Sequence, residues 1–391
     1  METSNPVIPM TRIEQKQLNN LESTYRLRRC PKGTSDSVRL NCECSSGTVL
    51  LFYNFVPVHD PALMCQQLKS TCTRLGVTGK IRIGNGGYNI TVGGTDDAIS
   101  EIMDIFLEKY IPDLPRSAGE ISVFKSLFFK PSRGCVHVFD SLSVKQVDQL
   151  CPMESTSSKV FPLESDQEPV TSTLLLAGIA GQTYIDSSVV RLDPKSFHAK
   201  IQSKSATVLD LRNYYESRIG YFEDAICPPI RKFSSFLDWV ERNEESIKGD
   251  VYTYCTGGIR CEKAARHIGE MTGANVYMLE GGIQRYMSWV QETNEKSLFK
   301  GFNYVFDSRQ SVGNEASEPV SHCAKCKVSC REFVKCASQG CHLLVICCKS
   351  CGPELYCCPH CRLMMPLEKR CICDCEQARR KLLYKAGDQR L

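Results

Sequence analysis

No apolar run in the 391 residues approaches the roughly 20 residues a membrane-spanning helix needs; the longest, Leu174 to Ala180, falls far short. A membrane span is therefore not expected. The opening residues, Met1-Glu2-Thr3-Ser4-Asn5, lack the apolar core of a signal peptide, and Glu2, Glu14 and Glu22 count against a transit peptide, so export is not expected either. Net charge is only +4, which denies the chain as a whole a polyelectrolyte role and sends the search for charged partners to single segments. No internal repeat is found, and no motif for an organic cofactor is evident. Residues 1–46 are polar, without sustained periodicity, and read as a disordered leader whose Arg26, Arg28 and Arg29 form a solvated basic stretch.

What remains is a globular chain, 42% hydrophobic and 24% charged, long enough for two or three domains. Residues 47–150 carry the order strand, helix, strand, strand, helix, strand. Val49 to Phe55 read as a strand, Pro61 to Leu75 as a helix with Pro61 in its first turn, Lys80 to Ile83 and Tyr88 to Val92 as strands around a Gly-rich turn, Asp96 to Tyr110 as a helix, and Val123 to Phe129 as a last strand. That order fits a ferredoxin-like α+β domain. Residues 151–186 include a stretch rich in Ser, Glu, Pro and Thr and read as a linker. Between 187 and 310, strands at Ala206 to Asp210, Val251 to Tyr254 and Val276 to Leu279 alternate with helices at Ser234 to Ile247, Glu262 to Met271 and Ile283 to Gln291. Such alternation implies an α/β domain, a parallel sheet with helices on both faces.

The strand ending at Tyr254 runs directly into Cys255-Thr256-Gly257-Gly258-Ile259-Arg260-Cys261, after which helical periodicity begins. A tight loop feeding a helix N-terminus aims several backbone N–H groups at one spot, at the strand ends where α/β sheets place their sites. Gly257 and Gly258 let those donors converge, and Arg260 adds a fixed positive charge. The same environment lowers a thiol pKa, so Cys255 is expected to be a nucleophilic thiolate able to carry sulfur as a persulfide. Phosphate loops of cysteine-dependent phosphatases place five residues between Cys and Arg. Here there are four, a smaller ring suited to a single sulfur atom. Cys261 is expected to point into helix packing, with a resolving-thiol role as the alternative.

This loop, together with Asp210-Leu211-Arg212, Glu216, Gly220 and Leu279-Glu280-Gly281-Gly282-Ile283, resembles the rhodanese family. More narrowly, Tyr254 to Ala264, with Phe302-Asn303-Tyr304-Val305-Phe306-Asp307 downstream, is similar to the TrhO-like family of tRNA uridine hydroxylases. It is similar too to the eukaryotic relatives of the thiosulfate sulfurtransferase and rhodanese-like domain-containing type. Gly87-Tyr88-Asn89-Ile90-Thr91-Val92-Gly93-Gly94 and the cysteine-rich tail extend the resemblance over most of the chain; Tyr214 departs from it, standing where members often carry Asp. The resemblance implies Cys255 as catalytic cysteine, Arg260 closing its loop, Asp210, Arg212 and Glu216 in support, and oxygen-dependent 5-hydroxylation of the wobble uridine of tRNA. The residues by themselves support only a reactive thiolate in an anion-friendly cradle. Sulfur transfer from a donor such as thiosulfate fits them equally, and a zinc-organised interaction protein with an idle rhodanese fold is a third reading.

Cysteine is abundant: 24 in all, 14 of them between Cys323 and Cys375. Paired spacings there suit metal in a reducing compartment better than disulfides, which places the protein in the cytosol, with the nucleus as a second location. Cys323, Cys326, Cys336 and Cys341 form one expected quartet and Cys348, Cys351, Cys358 and Cys361 another, so two structural Zn2+ ions are expected in residues 320–376. Interleaved ligation is the alternative, with Cys330, Cys347, Cys357, Cys371, Cys373, Cys375, His322, His342 and His360 as spare donors. A segment this short needs metal for its folding energy. From Ser321 onward 13 Lys and Arg stand against 6 Asp and Glu, ending in the basic segment 377–391, a candidate contact for tRNA phosphates.

Overall fold

A computed structural model describes residues 47–111, 118–153, 182–186, 189–203, 206–338, 341, 343–352, 354–363 and 377–378. The leader, most of the linker, Cys371, Cys373, Cys375, His342 and nearly all of the basic C-terminal segment lie outside the described residues. Contacts divide the described residues into two units: 47–111 and 131–150 in the first, 118–130 and those from 151 onward in the second.

In the first unit, β1 (Gly47–Asn54), α1 (Pro61–Arg74), β2 (Thr78–Gly84), β3 (Gly87–Thr95) and α2 (Asp96–Lys109) follow the expected order. Asp60 caps α1 by accepting from the Leu63 N–H at 2.8 Å, with Pro61 in the first turn; Thr95 caps α2, whose first residues Asp96 and Asp97 complement the helix dipole. After the helix α3 (Ala118–Phe128) come β4 (Lys130–Gly134) and β5 (Leu142–Gln146), giving the sheet order β4-β1-β3-β2-β5. Its first four strands have the ferredoxin-like arrangement, and β5 adds parallel to β2. The expected strand over Val123 to Phe129 is instead α3. Phe124, Leu127 and Phe128 are buried at helical spacing while Val123 is exposed, so the apolar period is 3.6 and not 2, and the closing strand comes later.

The second unit holds β6 (Gln182–Asp186), β7 (Val189–Leu192), α4 (Pro194–Ile201), β8 (Thr207–Asp210), the four-residue helix α5 (Tyr214–Ser217), β9 (Gly220–Phe222), α6 (Phe236–Arg242), β10 (Asp250–Tyr254), α7 (Ile259–Thr272), β11 (Asn275–Leu279) and α8 (Gly282–Thr293). The sheet order is β6-β7-β11-β10-β8, with all neighbours parallel except the β6 edge. One face is closed by Phe236, Leu237 and Val240 of α6 and Ala264, Ala265 and Ile268 of α7. The other is closed by Phe197 of α4 and Ile283, Tyr286 and Val290 of α8. Helices therefore cover both faces, as a parallel sheet requires. Short strands follow: β12 (Phe299–Gly301), β13 (Asn303–Tyr304), β14 (Ser311–Val312), and the hairpin β15 (Phe333–Lys335) with β16 (Leu344–Ile346), before the one-turn helix α9 (Pro359–Leu363). Among the described residues no helix is long and apolar enough to cross a membrane.

Candidate active site and candidate metal centres

Strand β10 delivers Cys255 at its C-terminal end, and Gly258, at φ 103°, turns the chain into α7 in a conformation costly for any residue with a Cβ. The Gly258 N–H donates to Cys255 Sγ at 3.1 Å. Burial pushes the thiol up, but the Cys261 side chain, the Arg260 charge and the backbone N–H groups of Arg260 and Cys261 outweigh it and hold Cys255 at about 6. The Cys261 thiol, wholly buried, is held well above its usual value by that burial and by the hydrogen bond to Cys255, so it is the proton-bearing partner. The sulfur of Cys255 is thus predominantly thiolate at neutral pH.

Arg260 does not face solvent. Its two terminal nitrogens each donate to Glu216 at 2.8 Å, forming a fork-to-fork pair from α7 to α5. Burial raises the Glu216 carboxyl, and Arg260 more than offsets this, keeping it below the usual carboxylate range. Glu216 also accepts from the Asn213 N–H and amide at 3.1 Å each and from Thr256 Oγ1 at 3.3 Å, so one carboxylate ties helix, loop and guanidinium together. A guanidinium committed in this way is not offered to a phosphoryl group, which counts against the phosphatase chemistry that the loop's shortness already disfavours.

Asp210 and Arg212, expected beside the site, pair with each other. Arg212 Nη2 lies 2.7 Å from Asp210 and 2.6 Å from the Gly220 carbonyl, and Tyr254 Oη donates to Asp210 at 2.8 Å. This buried pair locks the end of β8 to β9 and β10, so its support reaches the loop through Tyr254, the residue before Cys255. Thr256, Gly257 and Ile259 lie in the loop and first helical turn as expected.

Sequence reasoning gave no role to four residues that the structure draws to this region. Cys151 is buried in one cluster with Cys255 and Cys261, its carbonyl accepting from Lys263 Nζ at 2.9 Å. Lys130 is buried, with its carbonyl accepting from Gln284 at 2.7 Å; burial and Arg285 push its ammonium down to about 8. Neither sits in a recognisable motif. Phe306 is 47% exposed, with its ring centroid 6.0 Å from the Arg260 guanidinium carbon. Gly282, part of the Gly-Gly turn already seen in the sequence, has φ +65°, and a Cβ there would meet the Cys255 carbonyl oxygen at 2.5 Å and Gly257 N at 2.8 Å. The N–H groups of Ile283 and Gln284 donate to the carbonyls of Cys255 and Thr256 at 2.9 and 3.1 Å. The substitution Gly282→Ala is therefore expected to destabilise by roughly 2–5 kcal/mol, combining left-handed backbone strain with overpacking, and to slow Cys255 alkylation. Urea denaturation with peptide-resolved alkylation checks this; a loss under about 0.5 kcal/mol would show that the loop tolerates a shift.

In the tail, two sets of four sulfurs gather within 4.8 Å: Cys323, Cys326, Cys348 and Cys351, and Cys336, Cys341, Cys357 and Cys361. This corrects the sequential quartets to interleaved ones. The β15–β16 hairpin is the cause: Cys336 and Cys341 lie at its tip, while its open end returns Cys348 and Cys351 to Cys323 and Cys326, with the Ala324 N–H donating to the Ile346 carbonyl at 2.9 Å. Cys357 takes the place expected for Cys358. Its Sγ lies 3.6 Å from Cys341 Sγ and 3.5 Å from Cys361 Sγ, its N–H donates to Cys336 Sγ at 3.4 Å, and Cys358 Sγ is next to it at 3.9 Å. The donor set fits a tetrahedral soft cation: metal–sulfur bonds of about 2.3 Å imply sulfurs about 3.8 Å apart, against the 3.5 Å seen between Cys326 and Cys348.

A parallel sheet flanked by helices on both faces, carrying a cysteine at the end of a central strand in an N–H-lined loop, defines a rhodanese-class site. Residues 193–288 match the rhodanese-like domain, residues 47–150 the UPF0176 acylphosphatase-like domain, and residues 300–362 the rhodanase C-terminal family. A tRNA uridine(34) hydroxylase of Oceanobacillus iheyensis is 31% identical over 304 residues, covering 76% of this chain and 82% of the relative. One of Arthrobacter sp. (strain FB24) is 29% identical over 321 residues, covering 80% of this chain and 97% of the relative. Rhodanese-like domain-containing protein 6 of Arabidopsis thaliana is 32% identical over 358 residues, but the chain spans only 55% of that protein's length. The chain belongs to the tRNA uridine(34) hydroxylase family of rhodanese-domain enzymes.

Proposed function

We propose that this protein hydroxylates uridine 34 of tRNA at C5, in an oxygen-dependent reaction that requires the Cys255 thiolate. The observation that carries the reading is the Cys255 sulfur itself, buried, accepting from Gly258 N–H at 3.1 Å and held as an anion at about 6. A cradle of that kind stabilises negative charge on a sulfur adduct, whether a persulfide or a uracil ring to which the sulfur has added. Because Cys255 has no exposed surface, a target base must leave its stack to reach the sulfur, which a single-stranded anticodon loop makes inexpensive. In this reading Cys255 is the nucleophile, Arg260 and Cys261 set its charge, Thr256, Gly257, Gly258 and Ile259 shape the loop, and Asp210, Arg212 and Glu216 support it. The two cysteine sets hold structural zinc, the basic residues of the tail meet tRNA phosphates, and the protein works in the cytosol.

Incubating the purified full chain with unmodified tRNA and a thiol reductant in air, then measuring nucleosides by mass spectrometry, is expected to show one oxygen atom of O2 gained at the wobble uridine, the other leaving as water with two electrons from the reductant. Sulfur transfer is the second reading, favoured by the four-residue spacing between Cys255 and Arg260. Unchanged nucleosides, with thiocyanate released from thiosulfate and cyanide, would replace hydroxylation with that activity.

A further inference from the structure

We propose that the two cysteine sets, filled with metal, hold the short helix α5 in place and thereby keep Glu216 on Arg260 and Cys255 reactive, with Tyr215 as the positioning residue. The inference rests on reading Cys255 as a reactive thiol, not on which substrate it serves.

Helix α5 has only four residues, too few to hold its own shape in isolation. One side of it faces the catalytic loop through Glu216, as described. The neighbouring residues face the tail. Tyr214 packs against the cluster of Cys336, Cys341 and Cys361, and Tyr215 against the cluster of Cys323, Cys330 and Cys348. Tyr215 meets Tyr304 edge-on, with centroids 5.4 Å apart, and Tyr304 stacks on Phe333 of the hairpin at 5.2 Å. Tyr215 Oη accepts from Asn213 Nδ2 at 2.8 Å, and that same amide donates to Glu216 at 3.1 Å. Two further ties flank the helix: Ser321 Oγ donates to the Arg218 carbonyl, and Arg231 donates to the Cys341 carbonyl at 2.8 Å. A tail of this size folds on its metal. Without metal the packing surface under Tyr214 and Tyr215 is lost, Glu216 is released, and Arg260 follows its carboxylate or turns to water.

The other groups bearing on Cys255 are Cys261 and Arg260 on its own helix, Cys151 and Lys130 from preceding segments, and Glu262, Glu280 and Arg285 around Lys130. None of these lies on α5 or on the tail. An effect of the metal on the thiol therefore passes through Arg260, which Glu216 of α5 holds and which Phe306, edge-on to Tyr304 at 5.0 Å, also meets.

The test uses the full chain loaded with zinc(II), the same chain after chelation, and the zinc-loaded variants Tyr215→Ala and Tyr215→Phe. Iodoacetamide alkylation of Cys255 is followed by peptide mass spectrometry across pH, and the midpoint is read. The rate at one pH is a poor readout, because intrinsic nucleophilicity falls as pKa falls. The midpoint in the loaded wild type is expected near 6. Chelation is expected to raise it by about 1.5 units, lowering the thiolate fraction at pH 7 about fourfold, and zinc(II) to restore it. Tyr215→Ala is expected to raise it while keeping its zinc, and Tyr215→Phe, which retains the ring contacts, to raise it less. If chelation unfolds the protein, Tyr215→Ala decides. A Tyr215→Ala profile identical to wild type overturns the coupling. A midpoint near 8.5 in loaded wild type overturns the thiolate reading beneath it, whatever the tRNA assay shows.

Discussion

Cys255→Ala is expected to abolish uridine hydroxylation, by at least about 10^4-fold, as removal of a nucleophile does elsewhere, while the protein stays folded. The side chain is small and buried in the apolar cluster that also holds Leu209, Leu211 and Ala264, so its loss leaves a small void and one unpaired Gly258 N–H, together costing about 1–2 kcal/mol. The variant also carries a signature in pH. The folded pKa of Cys255, about 6, lies below the unfolded value near 8.5, so the unfolded chain binds the extra proton between them. The thiolate's contribution is complete above about pH 8.5 and is lost as pH falls through 6. Wild-type stability is expected to rise with pH relative to Cys255→Ala by about 1.4 kcal/mol per unit in that window, roughly 3 kcal/mol in all. Parallel urea titrations at pH 6 and pH 8.5 read the difference directly, because groups common to both proteins cancel. Equal pH slopes would show a thiol of ordinary pKa and remove the basis for nucleophilic chemistry.

The parts of this site that could be read in the sequence are those made by neighbours along the chain. Strand, tight glycine loop and helix follow one another from Val251 to Ala264, so the cradle around Cys255 and the charge of Arg260 were visible in a stretch of 14 residues. The strand runs at Thr207–Asp210 and Asn275–Leu279 were legible for the same reason, being short apolar runs between turns. What was not legible depends on how distant pieces fold together. The pairing of the cysteine sets is decided by a hairpin of two three-residue strands, too short to leave a period. The partner of Arg260 lies 44 residues away on a helix of one turn, and only the resemblance pointed to Glu216. Cys151 stands in a segment whose composition announces a linker, while α3 reads as a strand because its buried phenylalanines are close enough in sequence to suit either period.

Arg260→Met is expected to do two separable things, and a second substitution separates them. It leaves the Glu216 carboxylate buried with hydrogen bonds from Asn213 and Thr256 and the charge of Arg212, already paired with Asp210, in place of a direct cation partner, at a cost of about 3–5 kcal/mol. It also removes the positive charge that helps hold Cys255 down, so the alkylation midpoint rises above 6. Adding Glu216→Leu removes the stranded carboxylate, and replacing both members of a buried pair with apolar side chains is often neutral in stability. The double variant is therefore expected to recover most of the lost stability, as read by urea denaturation. Its thiol midpoint should remain raised, because no cation has returned to the loop. Were the midpoint to recover along with the stability, the pair would act on Cys255 only by holding the loop's shape, and the N–H donors of Gly258, Arg260 and Cys261 would carry the anion without it.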